Sequence, residues 1–226
     1  MQDLVYLFIS FMIYSFLGFI IETIYVWILD KKFQNRGFLI GPVLPIYGFG
    51  CILITLLLSP YKAHPIILFC MSIIICSVLE YLTSYLLEKI FNVRWWDYSN
   101  RKYNINGRIC LETLIPFGIG GSLICYLVDP NIQKLIRLIP YKVLIVIAII
   151  LAILIIADTI LSITTISSVK NKIKKGIRDN TIEIKEKVKD FIIANSKLRK
   201  RFINSYPNIL EKIKEVFEKS KLTFKK

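Results

Sequence analysis

The sequence has little of the chemistry that most enzymes use. Its only histidine is His64. The motifs of zinc peptidases, serine hydrolases and P-loop ATPases (His-Glu-x-x-His, Gly-x-Ser-x-Gly and Gly-x4-Gly-Lys-Ser/Thr) do not occur in it. These 226 residues therefore hold no Walker site for ATP hydrolysis. We expect no catalytic residue, no metal and no other cofactor, and the sequence favours a function other than catalysis.

Cysteine is also sparse, and no two cysteines form a Cys-x-x-Cys pair. All of them lie in apolar runs, which favours reduced side chains packed within segments over a disulfide or metal role. They are Cys51, Cys70, Cys76, Cys110 and Cys125.

Apolar residues dominate what is present. They make up 55% of the chain, and the mean hydropathy is +0.57. An apolar helix of roughly 20 residues spans a bilayer core of about 30 Å. The sequence therefore predicts an all-α integral membrane protein with five transmembrane helices, at about Leu4–Leu29, Phe38–Leu58, Pro65–Phe91, Ile109–Val128 and Val143–Ile166.

The net charge of +14 is distributed in a way that argues against a nucleic-acid partner. Lys and Arg collect in the short loops on the cytoplasmic side of a membrane protein. With five spans and the N-terminus outside, all but four of the 30 basic residues fall on the cytoplasmic side, together with the C-terminus. The four exceptions are Lys62, Lys134, Arg137 and Lys142.

Two stretches of the chain resemble each other. Asn35 in the first aligns with Asn106 in the second, and Pro45 then aligns with Pro116. The apolar runs before them each carry one acid, Glu22 or Glu80. We interpret this as a tandem two-helix repeat, at about 4–58 and 65–128. The repeat and a fifth span at about 143–166 would form a transmembrane domain over 1–168.

Both repeats contain residues that disfavour a regular helix. Proline removes a backbone donor and clashes with the preceding turn. The predicted helix breaks are at Gly41, Pro42 and Pro45 in the first repeat and at Pro116 and Gly118 in the second. Two interpretations stay open: kinked helices that approach closely through glycine, or broken helices that line a binding site, as paired interruptions do in transporters.

Four acids lie inside the predicted spans. An ionisable group at the centre of a membrane helix costs roughly 2.5–3.5 kcal/mol on insertion scales, so such groups are paired or functional. We expect them to converge with arginines near the cytoplasmic surface, as a structural ion network, a ligand site or an acid/base site. The arginines could instead hold an anionic group at two helix N-termini. The candidate residues are Glu22, Glu80, Glu112, Asp158, Arg36 and Arg108, together with Asn35 and Asn106.

The aromatic and basic loop from Asn92 to Arg108 adds the candidates Arg94 and Asp97. Asp97 could pair with Arg94 or with Arg101. Tryptophan and tyrosine beside basic residues are typical of the membrane interface. The loop is therefore either an interfacial anchor with salt bridges or a lid over a ligand.

The stretch 169–226 has a different composition. Apolar residues recur every seven positions, as in a coiled-coil seam, and basic residues surround them. We predict a basic, amphipathic, cytoplasmic helical tail. It could fold as a hairpin, join copies of the chain in a homo-oligomer, or lie on anionic membrane lipid.

Several of these motifs together resemble the bacterial "Putative ABC-transporter type IV" family, also called CmpB-like. The likeness covers roughly residues 6–165. The motifs are Tyr14-Ser15-Phe16-Leu17-Gly18, Asn35-Arg36-Gly37, Gly41-Pro42, Pro45-Ile46-Tyr47-Gly48-Phe49-Gly50, Glu80-Tyr81, Arg94-Trp95-Trp96-Asp97-Tyr98 and Asn106-Gly107-Arg108. The resemblance implies a multi-pass protein of the bacterial inner membrane and an ABC-type permease.

From these observations we expect a permease-like transport component that works with a separate ATPase subunit. A polar ligand site would lie between spans near the cytoplasmic side. The alternatives are a membrane-embedded enzyme that modifies lipid or envelope, and a membrane scaffold without transport activity.

Overall fold

The computed structural model describes residues 2–31, 35, 37–91 and 94–178. Arg36 and the part of the predicted tail from residue 179 onward lie outside the described residues. The described chain is mostly helical, with helices at Gln2–Asp30 (α1), Pro45–Leu58 (α2), Pro65–Phe91 (α3), Leu111–Leu123 (α4), Asp129–Arg137 (α5) and Tyr141–Arg178 (α6). Antiparallel strands Asn104–Ile105 (β1) and Ile109–Cys110 (β2) form a small hairpin before α4.

Four helical stretches of the described chain are long and apolar enough to cross a membrane. They are α1, α3, the continuous stretch from α4 through α5, and α6. Large apolar side chains cover the outside of these helices, as expected where the surrounding solvent is lipid. The chain is therefore a multi-pass membrane protein.

The second predicted span, Phe38–Leu58, differs from the prediction. It is helical only from Pro45, and α2 has 14 residues. Pro45 lies in the first turn of α2, where its missing N–H leaves no helical bond unmade. Pro42 restricts the residue before it to extended conformations, so the helix does not extend back through Gly41.

Residues 37–44, here called the irregular segment, turn back along α1. The amide of Leu44 donates to the carbonyl of Ser15 over 3.0 Å. Ser15 lies about 22 Å along α1 from Asp30, at 1.5 Å per residue. The irregular segment therefore runs at membrane depth, where backbone groups need partners from the protein.

Glycines allow close contact between neighbouring helices in both halves of the bundle. Gly48 of α2 faces Ser15 of α1, and Gly121 of α4 faces Ser72 of α3. Without a hydrophobic driving force in lipid, such close backbone approach is what holds membrane helices together.

The second half contains no break at the predicted place. Pro116 and Gly118 lie inside α4, which runs through them to Leu123. The departure from regular geometry comes later, in a π-helical stretch at Ile124–Val128. The tandem repeat stays a prediction. Pro45 begins a helix, whereas the aligned Pro116 lies inside one.

Two polar contacts also fix α5 against α1. The Tyr14 hydroxyl donates to Asp129 over 2.6 Å, and Gln133 donates to the Ser10 hydroxyl over 3.0 Å. Beyond α5, α6 continues to Arg178, past the boundary predicted at residue 168.

The glycine contacts yield a stability prediction. A Cβ at position 121 would overlap the Ser72 side chain and lie 3.3 Å from Ile54, whereas a Cβ at position 120 meets nothing within 4 Å. We expect Gly121→Ala to destabilise the protein by about 1–3 kcal/mol through overpacking. Gly120→Ala is the matched control and should be neutral or slightly stabilising. Thermal unfolding in detergent measures both, and equal midpoints would contradict the prediction.

Candidate functional site

Two carboxylates and two phenols meet near the end of the bundle where α1 and α3 finish. Tyr47, in the first turn of α2, donates to Glu22 of α1 over 2.9 Å. Tyr98, in the loop before β1, donates to Glu80 of α3 over 3.2 Å. The two carboxylates are near enough to interact electrostatically, and so are Tyr47 with Glu80 and Tyr98 with Glu22. We call these four residues the carboxylate–tyrosine cluster.

One carboxylate oxygen of the cluster makes no hydrogen bond with the described residues. Glu80 Oε1 accepts the Tyr98 bond, but Oε2 is buried and has no hydrogen-bond partner among the described residues. Burial and the neighbouring Glu80 carboxylate raise the pKa of Tyr98. The phenol therefore stays protonated at neutral pH and remains the donor in this pair.

Arg94 and Arg108 are bound to Glu88 rather than to Glu22 or Glu80. Glu88 Oε2 accepts from Arg94 Nε at 3.1 Å and from Arg108 Nη2 at 2.9 Å. Arg108 also donates to the Ser84 hydroxyl over 3.1 Å. Its guanidinium carbon lies 5.6 Å from the Tyr81 ring centroid and 5.5 Å from that of Tyr85. The ion pair and the two aromatic faces together hold Arg108, which is 9% exposed.

The loop is closed by a tight turn and a second ion pair. Asn106 and Gly107 both have positive φ, the conformation that a two-residue hairpin turn requires. Asn106 Nδ2 donates to the Tyr81 hydroxyl over 2.9 Å. Of the two partners considered for Asp97, Arg94 is the one found, at 3.2 Å. Burial opposes ionisation of Asp97, but hydrogen bonds from Ser99 and the Arg94 guanidinium outweigh it and lower its pKa.

Asp158 lies at the irregular segment. Its Oδ1 accepts from the Ile40 amide at 2.9 Å and its Oδ2 from the Gly41 amide at 2.8 Å. On the other side of the segment, Asn35 Oδ1 accepts from the Gly37 amide at 2.7 Å. Asn35 Nδ2 donates to the carbonyls of Ile40 and Gly41, each at 3.4 Å. Asp158 and Asn35 therefore bind backbone groups that would otherwise face lipid.

Glu112 takes no part in the carboxylate–tyrosine cluster, in the ion pairs of Glu88 or in the contacts of the irregular segment. It pairs with Arg101 at 3.3 Å, and each side chain is 60% exposed. Exposed pairs of this kind contribute little to stability.

The four predicted acids thus occupy three places instead of one cluster. Glu22 and Glu80 lie together, Asp158 lies at the irregular segment and Glu112 is on the surface. Four residues that make these contacts were not predicted as site residues: Glu88, Ser84, Tyr47 and Tyr98. The four-residue spacing of Glu80, Ser84 and Glu88 places them on one helix face, and that polar face was the signal that could have found Glu88.

Comparison with known families gives one finding for this chain. The family described as "Putative ABC-transporter type IV" matches residues 9–163, which is more than half of the chain. The chain belongs to this family. Comparison with curated proteins and with solved structures gives no match.

The ion network yields a second stability prediction. Glu88→Gln removes the carboxylate shared by Arg94 and Arg108 and leaves the buried Arg108 among its aromatic neighbours without its ion pair. We expect a loss of about 1–3 kcal/mol, less than the 3–5 kcal/mol of a fully buried pair because the Glu88 side chain keeps 28% exposure. Unfolding of the purified chain in detergent measures it.

Glu112→Gln is the matched control, since it also neutralises a glutamate that is paired with an arginine. It should change stability by less than about 1 kcal/mol because the pair is exposed. A Glu112→Gln effect as large as that of Glu88→Gln would show that the two pairs do not differ as the structure indicates.

Proposed function

We propose that this protein is the permease-like membrane component of an ABC-type transport system. In this proposal, the carboxylate–tyrosine cluster of Glu22, Tyr47, Glu80 and Tyr98 is the polar ligand site. Family membership supports the transport role. The observation that carries the site is the buried Glu80 oxygen that has no hydrogen-bond partner among the described residues.

A buried carboxylate oxygen without a donor is costly. Leaving such a group unsatisfied costs roughly 1–3 kcal/mol, and more when it is charged. Ionisable groups that persist inside a membrane face the protein interior and mark substrate or ion pathways. A ligand that donates to Glu80 Oε2 would remove this cost, and the same donor would lie close to Glu22.

The charges around the site favour a particular kind of ligand. Among the described residues, neither Glu22 nor Glu80 forms an ion pair, because the nearby Arg94 and Arg108 are bound to Glu88. The site therefore suits a ligand that carries positive charge or hydrogen-bond donors. Of the two arginines considered from the sequence for an anionic headgroup, Arg108 is already paired, and Arg36 lies outside the described residues.

The energy source and the orientation are parts of the same proposal. These 226 residues hold no Walker motif, and in this proposal a separate ATPase subunit supplies the energy. The ligand site lies at the cytoplasmic end of the bundle, because the loop beside it is rich in Lys and Arg. The N-terminus then lies outside and the C-terminus in the cytoplasm, and the membrane is the bacterial inner membrane.

The experiment is ATP hydrolysis by the complex that the full chain forms with its ATPase, extracted gently and reconstituted in lipid nanodiscs. Glu80→Gln keeps the shape of the side chain and removes its charge. We expect the Glu80→Gln complex to assemble and to hydrolyse ATP at least about fivefold more slowly, the lower range of coupling between distant sites. Glu112→Gln, which changes an exposed glutamate, should match the wild type.

Two outcomes would overturn the proposal. If no ATPase remains bound to the wild-type chain in nanodiscs, the ABC-type transport role is wrong. If the Glu80→Gln complex assembles and hydrolyses ATP at the wild-type rate, the carboxylate–tyrosine cluster is not its ligand site.

A further inference from the structure

Helix α6 has few buried residues, and its main polar contact with the bundle is made by one side chain. Of residues 141–167 of α6, only Leu144, Ser162 and Ile166 are buried. In this stretch Asp158 binds the irregular segment, and Ser162, which is fully buried, donates to Asp158 over 3.2 Å. A carboxylate inside a lipid-facing helix is expensive to keep there, so its contact calls for an explanation.

Asp158 accepts hydrogen bonds from two consecutive backbone amides, and we call this pair of bonds the grip. Each carboxylate oxygen of Asp158 accepts one amide, from Ile40 at 2.9 Å and from Gly41 at 2.8 Å. An ionised carboxylate is acceptor-only and therefore matches two donors, and such charge-assisted bonds are strong. A Cβ at position 41 would lie 2.9 Å from Asp158 Oδ2, so any larger residue there would force the carboxylate to shift.

A short series of backbone bonds leads from this grip to the carboxylate–tyrosine cluster. The Val43 amide donates to the Gly41 carbonyl at 2.9 Å, and the Tyr47 amide donates to the Leu44 carbonyl at 3.0 Å. The Tyr47 hydroxyl then donates to Glu22. The position of α6 thus bears on the residue that binds Glu22.

We propose that Asp158 is a positioning residue that couples the position of α6 to the irregular segment and, through it, to the first turn of α2. A shift of α6 moves the two gripped amides and with them Tyr47. That this coupling acts on ligand binding rests on the proposed function; the mechanical coupling itself does not.

Hydrogen exchange of the backbone amides tests the coupling on the full chain in nanodiscs. In the wild type the amides of Ile40 and Gly41 are protected by the carboxylate. Asp158→Ala removes both acceptors, and we expect exchange at both amides to rise about tenfold or more, the loss of one charge-assisted bond each. Asp158→Asn keeps one acceptor oxygen and should expose one of the two amides. In both variants, exchange in the first turn of α2, at Tyr47, should rise as well.

Matched variants keep the test decisive if loss of the charge prevents folding. Gly41→Ala leaves Asp158 intact and forces its carboxylate away, so it should reproduce the increase in exchange. Gly50→Ala, whose Cβ would make an ordinary 3.5 Å contact with Leu79, should not. Thr159→Val alters α6 beside Asp158 but removes only a bond to Ile155 within the helix, and it should also match the wild type.

The outcomes separate the parts of the proposal. Unchanged exchange at Ile40 and Gly41 in both Asp158→Asn and Gly41→Ala would show that the grip does not exist. Faster exchange there without a change at Tyr47 would reduce Asp158 to a local clamp and overturn the coupling. Faster exchange at both places supports it, whatever the ATPase measurements on Glu80→Gln give.

Discussion

The whole arrangement depends on one constraint, that backbone amides and carbonyls at membrane depth must find partners inside the protein. The irregular segment brings non-helical backbone to the middle of α1, where water cannot serve it. Asp158, Asn35 and the carbonyl of Ser15 supply the partners. They come from three different parts of the chain, so the segment is held only when α1 and α6 are both in place.

The same constraint governs the charged side chains, and the structure meets it in two ways. Glu88 and Asp97 together balance the two guanidinium groups of Arg94 and Arg108. Glu22 and Glu80 instead receive neutral phenols. A phenol donates one hydrogen bond without supplying an opposite charge, so neither carboxyl group is paired with a cation among the described residues. This difference is why the proposed ligand site is placed at Glu22 and Glu80, whereas Glu88 belongs to an ion network.

Composition and hydrophobic periodicity predicted much of the fold. Membrane character follows from long apolar runs, and the four long helices lie where those runs were found. The prediction failed where local sequence and tertiary contact compete. Pro116 suggested a break, yet α4 continues through it because close contact with α3 on its glycine face holds the helix in place. Pro42 and Pro45 did interrupt their segment, since here the freed amides have Asp158 to bind.

For a related reason, the site could be predicted from the sequence only in part. An acidic residue in an apolar run is expected to have a partner, but the run does not indicate which residue that partner is. Arginine was the expected partner because opposite charges attract most strongly. Which residue reaches Glu22 or Glu80 depends on how the chain returns after each helix, and Tyr47 is brought back by the irregular segment at a depth that no local pattern encodes.

The two halves of the bundle differ in how firmly they hold the cluster. On the α3 side, Tyr98 belongs to a loop closed by a two-residue turn, by the Arg94–Asp97 pair and by the ion pairs of Glu88. On the α1 side, Tyr47 follows a segment whose bonds reach three separate parts of the chain, one of them a helix that is itself mostly exposed. Local stability follows the density of such contacts. A change in the distance between Glu22 and Glu80 is therefore expected to come from movement of the irregular segment and α2, with α3 and the hairpin serving as the fixed wall.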